Sequence, residues 1–311
     1  MNCFIPDKKD IFVDALKKLL KKIPRASALA RKILKMFHKM KTESFFTLPK
    51  IDFKWDKDNE AYMSMGIDIQ AFCPATHFCF RKASDEPNLE KDCVSFFSPV
   101  EFKKDVKYIM LSATANEKIC QYFFKDYLGL DVKYYYCKRA AYMGKVYQYA
   151  DHSYSRFCLD ENPDIIKKIK EWTGFEDTIT FLKYCMGPAY HGKASGVDFM
   201  KGRNIDIIGT PHMPEFLYKL IAFTLGLDFD ENDKIERKSK DNITEYICYR
   251  FPFTTFDDEV LRNVQHWIIS SSLEQEVGRA RLLRYDCVVN VFSDFPVSQA
   301  IFKNPEYDKK S

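Results

Sequence analysis

The chain has 311 residues, enough for two modest domains, and is 46% hydrophobic, with 27 Phe and 18 Tyr available for a core. Its formal charge of +4 excludes a protein whose overall field alone would gather nucleic acid. Ten Cys, an opening MNCFIPDKKD with no apolar leader, and a longest apolar run of only Leu220 to Leu227 lead to the expectation of a cytoplasmic protein with free thiols and no membrane attachment.

Residues 1–50 are the basic end, with thirteen Lys/Arg against four Asp/Glu. Ile11, Phe12, Leu16, Leu19, Leu20 and Ile23 recur at helical spacing, with Lys17, Lys18, Lys21 and Lys22 on the other side. Pro24 ends that helix, and Ser27 caps a second one to about Met40, with Leu29, Ile33, Leu34, Phe37 and Met40 on one face. Such helices suit a phosphate backbone, a partner groove or an anionic membrane surface, and they also suit an ordinary solvated surface. Residues 45–105 read as mixed and strand-rich, punctuated by Pro49 and Pro74. Cys73, His77, Cys79 and Cys93 lack the close Cys-x-x-Cys pairs of a zinc site, so no metal is expected there.

Val106 to Leu111 is a short apolar run, expected as a buried strand that delivers Ser112, Ala113 and Thr114 to the carboxyl end of a sheet. A helix from Asn116 to Leu128 follows, then strands near Asp131 to Tyr136 and Lys145 to Tyr149, a helix from Asn162 to Trp172 and a strand near Thr178 to Lys183. Alternation of this kind predicts a parallel sheet with crossover helices. Next, Gly196-Val197-Asp198 lies in a loop, Asn204 to Ile208 reads as a buried strand, and Gly209-Thr210-Pro211 ends it. A Gly-flanked Asp suits a ribose hydroxyl, and Lys193, Ser195 and Thr210 suit phosphates; a plain Gly-rich turn is the alternative. A helix from Glu215 to Leu225, a charged loop from Asp228 to Asp241 and a strand from Thr244 to Phe251 come next. The helix Asp257 to Arg281 then leads into a strand, Cys287 to Phe292, and the chain closes with a short helix and a polar tail.

The end of that long helix reads Gln275-x-x-Gly278-Arg279-Ala280-Arg281. Gly278 lets backbone approach closely, and the planar forks of Arg279 and Arg281 match phosphate oxygens. The alternative is a basic helix end satisfying its own last carbonyls.

Three stretches, Leu111 to Thr114, Ser195 to Phe199 with Thr210-Pro211, and Gln275 to Arg281, resemble in order the later motifs of superfamily-two helicases and translocases. The resemblance implies an α/β fold: a RecA-like second helicase lobe over 116–311, preceded by a mixed α+β region over 1–115 that carries the basic helices and ends in a remnant of the first lobe. It implies that Arg279, Arg281 and Gln275 serve the γ-phosphate, and that Gly196, Asp198 and Gly278 serve the nucleotide, with Asp198 at the ribose. Ser112, Ala113 and Thr114 would couple the nucleotide site to strand movement, and Lys193, Ser195 and Thr210 would meet the nucleic acid. The implied cofactor is ATP with Mg, the metal ligands standing on a missing lobe.

The departures shape the expectation. Leu282 stands where the family places its second Arg, between Arg281 and Arg284, and no P-loop or Asp-Glu motif occurs in residues 1–111. Gly187 to Lys193 fits G-x4-G-K, but Ala194 replaces the Mg-binding Ser or Thr and Pro188 removes a cradling N–H. Leu225 to Glu231 mimics an Asp-Glu motif but continues a helix into a charged loop. The expectation is the carboxyl-terminal half of an ATP-dependent helicase or translocase acting on nucleic acid, DNA rather than RNA, and needing a partner chain with the P-loop lobe. The alternatives are a non-catalytic nucleic-acid-binding module and an assembly module.

Overall fold

A computed structural model describes residues 2–4, 41, 43–50, 69–72, 74–82, 93–97, 102–103, 105–194, 196, 198–237, 243–246 and 249–304. The two basic helices expected within residues 10–40 lie outside this set. The chain divides into two compact units, Met1–Ile109 with Lys219–Leu227, and Met110–Tyr218 with Asp228–Ser311.

The first unit holds an antiparallel sheet of β1 (Asn2–Phe4), β2 (Ser44–Thr47), β3 (His77–Arg81) and β4 (Cys93–Phe96), in the order β1-β4-β3-β2. Its core is aromatic. Phe46 stacks on Phe78 with ring centroids 5.3 Å apart, and Phe72, from the short helix α1 (Ile69–Phe72), meets Phe78 and Phe96. Phe223 packs against Phe45 and His77 in the same unit, and the buried Lys219 ammonium reaches Glu43 at 3.4 Å.

In the second unit α2 (Glu117–Cys120) runs into a π-helical stretch, Gln121–Tyr127. Then come β5 (Lys145–Tyr149), α3 (Arg156–Glu161), α4 (Asp164–Thr173), β6 (Asp177–Ile179) and β7 (Ile205–Ile208). Helix α5 (Glu215–Thr224) is divided between the units, and the short strands β8 (Glu236–Arg237), β9 (Ile243–Tyr246), β10 (Tyr249–Pro252) and β11 (Thr254–Thr255) follow it. Helix α6 (Glu259–Val277), β12 (Val288–Phe292) and β13 (Ala300–Phe302) complete the chain. The main sheet is parallel throughout, in the order β13-β5-β12-β7-β6.

Both faces of that sheet are covered, which explains why β7 and β12 read as largely apolar runs and not as alternating ones. Val146, Ile205, Ile207, Val289 and Val291 pack with Ile269, Leu273 and Val277 of α6. Their neighbours Tyr149, Ile208 and Phe292 point the other way and pack with Leu159 of α3 and Ile166 and Ile169 of α4. Tyr149 and Phe292 stack at 4.8 Å, and Trp172 meets Tyr149 edge-on. The chain is therefore an α/β protein with a parallel sheet, plus a separate antiparallel one.

Several expected elements differ. Val106 to Leu111 forms no strand: Ile109 is 80% and Leu111 94% exposed. A strand needs a neighbouring ladder, and among the described residues none reaches this run. Asp131 to Tyr136 also stays outside any sheet. The single strand expected from Thr244 to Phe251 is an antiparallel pair, β9 with β10. The tail expected as a short helix instead supplies β13, because the exposed edge of β5 offers it a parallel ladder.

Candidate functional site

Helix α6 gathers most of the singled-out residues. It begins at Asp258, whose Oδ1 accepts from the Leu261 amide at 2.9 Å, and its apolar side is held by Leu261, Val264, Ile269, Leu273 and Val277. Trp267, Ser271 and Gln275 recur at i, i+4 and i+8, which places them in one stripe along the helix. The Trp267 indole N–H and the Ser271 hydroxyl both donate to the Thr114 carbonyl, at 3.2 and 3.4 Å. The Ser112-Ala113-Thr114 stretch is thus seated one helical turn from Gln275. Its chain is folded locally by the Thr114 amide, which donates to Ser112 Oγ at 3.2 Å.

At its end α6 tightens into a 3-10 turn, Gly278–Ala280, and Arg281 then takes a left-handed backbone, φ 58° and ψ 43°. The turn splits the two arginines. Arg279 Nε folds back to donate to the Gln275 carbonyl at 3.1 Å, while Arg281 Nη2 donates to Asp198 Oδ1 at 2.8 Å. Two further bonds fix the same region: the Gly202 amide donates to the Ala280 carbonyl at 3.0 Å, and the Asn204 side-chain Oδ1 accepts from the Val288 amide at 2.8 Å. The entry to β7 is thereby tied to the entry to β12. Lys201 lies over the Tyr285 ring, 5.7 Å from its centre. The Arg281 hydrogen bond and charge, with Lys201 and Arg279 adding theirs, hold the Asp198 carboxyl below the usual carboxylate range. Arg281 is therefore the cation in direct contact with Asp198, while Lys201 and Arg279 add positive charge from further away and Gly278 opens the turn that separates the two arginines. Gly196, also left-handed at φ 76°, lies two residues before Asp198; Ser195 lies outside the described residues.

The remaining predicted residues stand apart from this turn. Thr210 lies at the exit of β7, buried; its hydroxyl donates to Asp294 Oδ1 at 2.6 Å and accepts from the Ser293 hydroxyl at 2.8 Å. Strand exits are where open α/β sheets place ligands, whereas the arginine turn precedes the entry to β12. Lys193 is exposed, 5.7 Å from the centre of the Tyr190 ring, and the Gly187 to Lys193 stretch leads into a turn and not into a P-loop helix. Among the described residues no three His, Cys, Asp or Glu side chains are grouped to hold a metal ion; Cys73 and the Cys93 side chain lie outside them. Among the same residues no helix is long and apolar enough to cross a membrane.

Two buried groups escaped the sequence reading. His191 Nδ1 faces both Glu276 oxygens at 3.0 Å, and Nε2 faces the Ile208 carbonyl at 3.0 Å. Both ring nitrogens meet acceptors, so the geometry calls for an imidazolium donating twice. Burial opposes that charge, but Glu276, by charge and hydrogen bond, and the Ile208 carbonyl outweigh it and raise the His191 pKa. The pair clamps the 180–204 loop to the last turn of α6. Gly209 makes the fit possible: its φ is 115°, and a Cβ there would stand 2.6 Å from the Phe181 ring and 3.1 Å from His191.

The second group is Asp206, buried in β7, whose Oδ2 accepts from Thr173 Oγ1 at 2.6 Å and whose Oδ1 accepts from Asn290 Nδ2 at 2.9 Å. Burial pushes its carboxyl up to about 6. An acid inside the apolar Ile205 to Ile208 run was the available signal; nothing local marked His191 or Glu276 as partners.

Comparisons with protein-family models, with curated proteins and with solved structures give no match to this chain.

Proposed function

We propose that the second unit is a RecA-like second lobe of an ATP-dependent helicase or translocase acting on DNA, with Arg279 and Arg281 as its phosphate-facing residues. One observation carries the reading. The three motif-like stretches converge along α6 and the turn that follows it: Thr114 is held by Ser271 of the helix, 157 residues away, and Asp198 by Arg281 just beyond the turn, 83 residues away. A parallel sheet with helices on both faces supports it as the required layer arrangement.

The residues present fit a polyphosphate better than a metal. Arg281 bonds Asp198, and Lys201 and Arg279 add positive charge in the same region, which leaves net positive charge for phosphate oxygens. ATP would supply the transferable phosphoryl group, and arginine placed against such a group is worth roughly 10³ to 10⁵ in rate. The phosphate cradle and the Mg ligands belong, in this reading, to a first lobe on a partner chain. Asp198 plays two parts: it holds Arg281 until nucleotide arrives and then turns to the ribose.

The test is ATP binding and hydrolysis by the purified chain, with and without single-stranded DNA, beside Arg279→Ala and Arg281→Ala. Weak ATP binding that falls roughly tenfold or more in each variant, with no turnover by the chain alone, is expected. ATP binding unchanged by both substitutions would sink the assignment. Turnover that Arg279→Ala removes would instead mean that the chain carries its own phosphate cradle, with Lys193 the next residue to replace.

A further inference from the structure

The arginine turn leaves one exposed aromatic stretch without a role. Residues 133–139 read Lys-Tyr-Tyr-Tyr-Cys-Lys-Arg and run outside any helix or sheet. The stretch is pinned on both sides. The Tyr134 hydroxyl donates to the Ala115 carbonyl at 3.0 Å, directly after the Ser112-Ala113-Thr114 stretch. On the other side Arg139 Nη1 lies 3.4 Å from Glu274 Oε1 of α6 and donates to Ser298 Oγ. Between the anchors Tyr135 is 79% and Tyr136 78% exposed, and Lys133 and Lys138 flank them, also exposed. Elsewhere in this unit tyrosines such as Tyr149 and Tyr154 are buried, so two consecutive rings left in water, on a segment fixed at both ends, stand out.

We propose that Tyr135 and Tyr136 are a stacking platform for the bases of a single-stranded nucleic acid, with Lys133 and Lys138 receiving its backbone phosphates. Every base has a face that stacks on an aromatic ring, and a cation on each side matches a strand whose charge repeats at every nucleotide. A protein partner is the less suited occupant, because the core of a protein interface is depleted of Lys. The platform deepens the reading above by naming where nucleic acid is held. It is joined to α6 through Arg139, and through Tyr134 to the chain that α6 holds by Thr114, so strand contact and arginine turn share one helix.

The test is fluorescence anisotropy with labelled dT20 and rU20 oligonucleotides over a range of salt. The proteins are the full chain, the Tyr135→Ala/Tyr136→Ala and Tyr135→Phe/Tyr136→Phe double variants, and Lys138→Ala. The Ala pair is expected to weaken binding at least tenfold and the Phe pair to keep it within about twofold, since the ring does the stacking. Lys138→Ala is expected to lower the salt slope by about one. Binding unchanged in the Ala pair overturns the platform, as does a loss just as large in the Phe pair. Absence of binding by the wild-type chain to either oligonucleotide also overturns it and turns the search to a protein partner. Loss in the Ala pair with no response to ATP or to Arg279→Ala upholds the platform while the nucleotide reading fails. An ATP-dependent affinity that ignores the Ala pair does the reverse.

Discussion

His191 and Glu276 form a buried ion pair whose worth depends on pH in a defined direction. The folded His191 pKa is raised above its ordinary 6.5. The folded state therefore keeps a proton that the unfolded chain has released, and the stabilisation is complete below about 6.5 and is lost as pH rises through the folded value. Urea unfolding of the wild type from pH 6 upward is expected to show that loss. Glu276→Gln, which keeps the shape but not the charge, should remove it. His191→Ala leaves Glu276 buried and unpaired, at a cost of about 3–5 kcal/mol. Asp206 has a different window. Its carboxyl is raised from 3.8 to about 6, so ionising it in the folded state is unfavourable and stability falls as pH rises from about 4 to 6. The whole effect is roughly 3 kcal/mol, and Asp206→Asn is expected to flatten that part of the pH–stability curve. Burial pushes His212 and His266 down to about 4, so their contribution falls as pH drops from 6.5 toward 4. The histidines and Asp206 oppose one another there, and the difference between wild type and each single variant separates them.

At the scale of elements, α6 is the part on which the others are assembled. The Thr114 carbonyl rests on Trp267 and Ser271, Arg139 and Ser298 meet at Glu274, His191 bonds Glu276, and Gly202 and Asp198 bond the turn at Ala280 and Arg281. Asp258→Ala removes its amino-terminal cap and is expected to cost about 1 kcal/mol by thermal or urea unfolding. Gly209→Ala should cost more, about 1–3 kcal/mol, because it combines a left-handed backbone with a Cβ inside van der Waals distance of Phe181 and His191. The aromatic cluster of His212 stacked on Phe253, with His266 and Phe295 edge-on, packs the same helix from the side of β10 and β11.

For the whole molecule, a formal charge of +4 hides an uneven distribution, with the excess of Lys and Arg concentrated in residues 1–50. Any binding to nucleic acid should weaken steeply with salt, in proportion to the number of phosphates neutralised. Removing residues 1–40 is expected to reduce that slope without changing the response to Tyr135→Ala/Tyr136→Ala, as measured by anisotropy at several salt concentrations. Equal slopes with and without the segment would show that the basic end does not meet the strand.

Much of the parallel sheet was legible in the chain, because β7 and β12 are buried on both faces and so read as largely apolar runs. Helix α6, expected from Asp257 to Arg281, is found over Glu259–Val277, with its last expected turn tightened into the 3-10 turn. Local rules could not decide which short apolar run finds a ladder. Val106 to Leu111 is as apolar as β12 yet exposed, and the unremarkable Ala300 to Phe302 becomes an edge strand, because pairing depends on segments far away in sequence. The same holds for the candidate site. Residue type alone marked Asp198, Arg279 and Arg281, but their convergence, the burial of Thr210 and the clamp of His191 on Glu276 exist only once strand order has brought separate stretches together. Charge and hydrogen-bonding capacity belong to the residue; distance, burial and the pKa that follows from them belong to the fold.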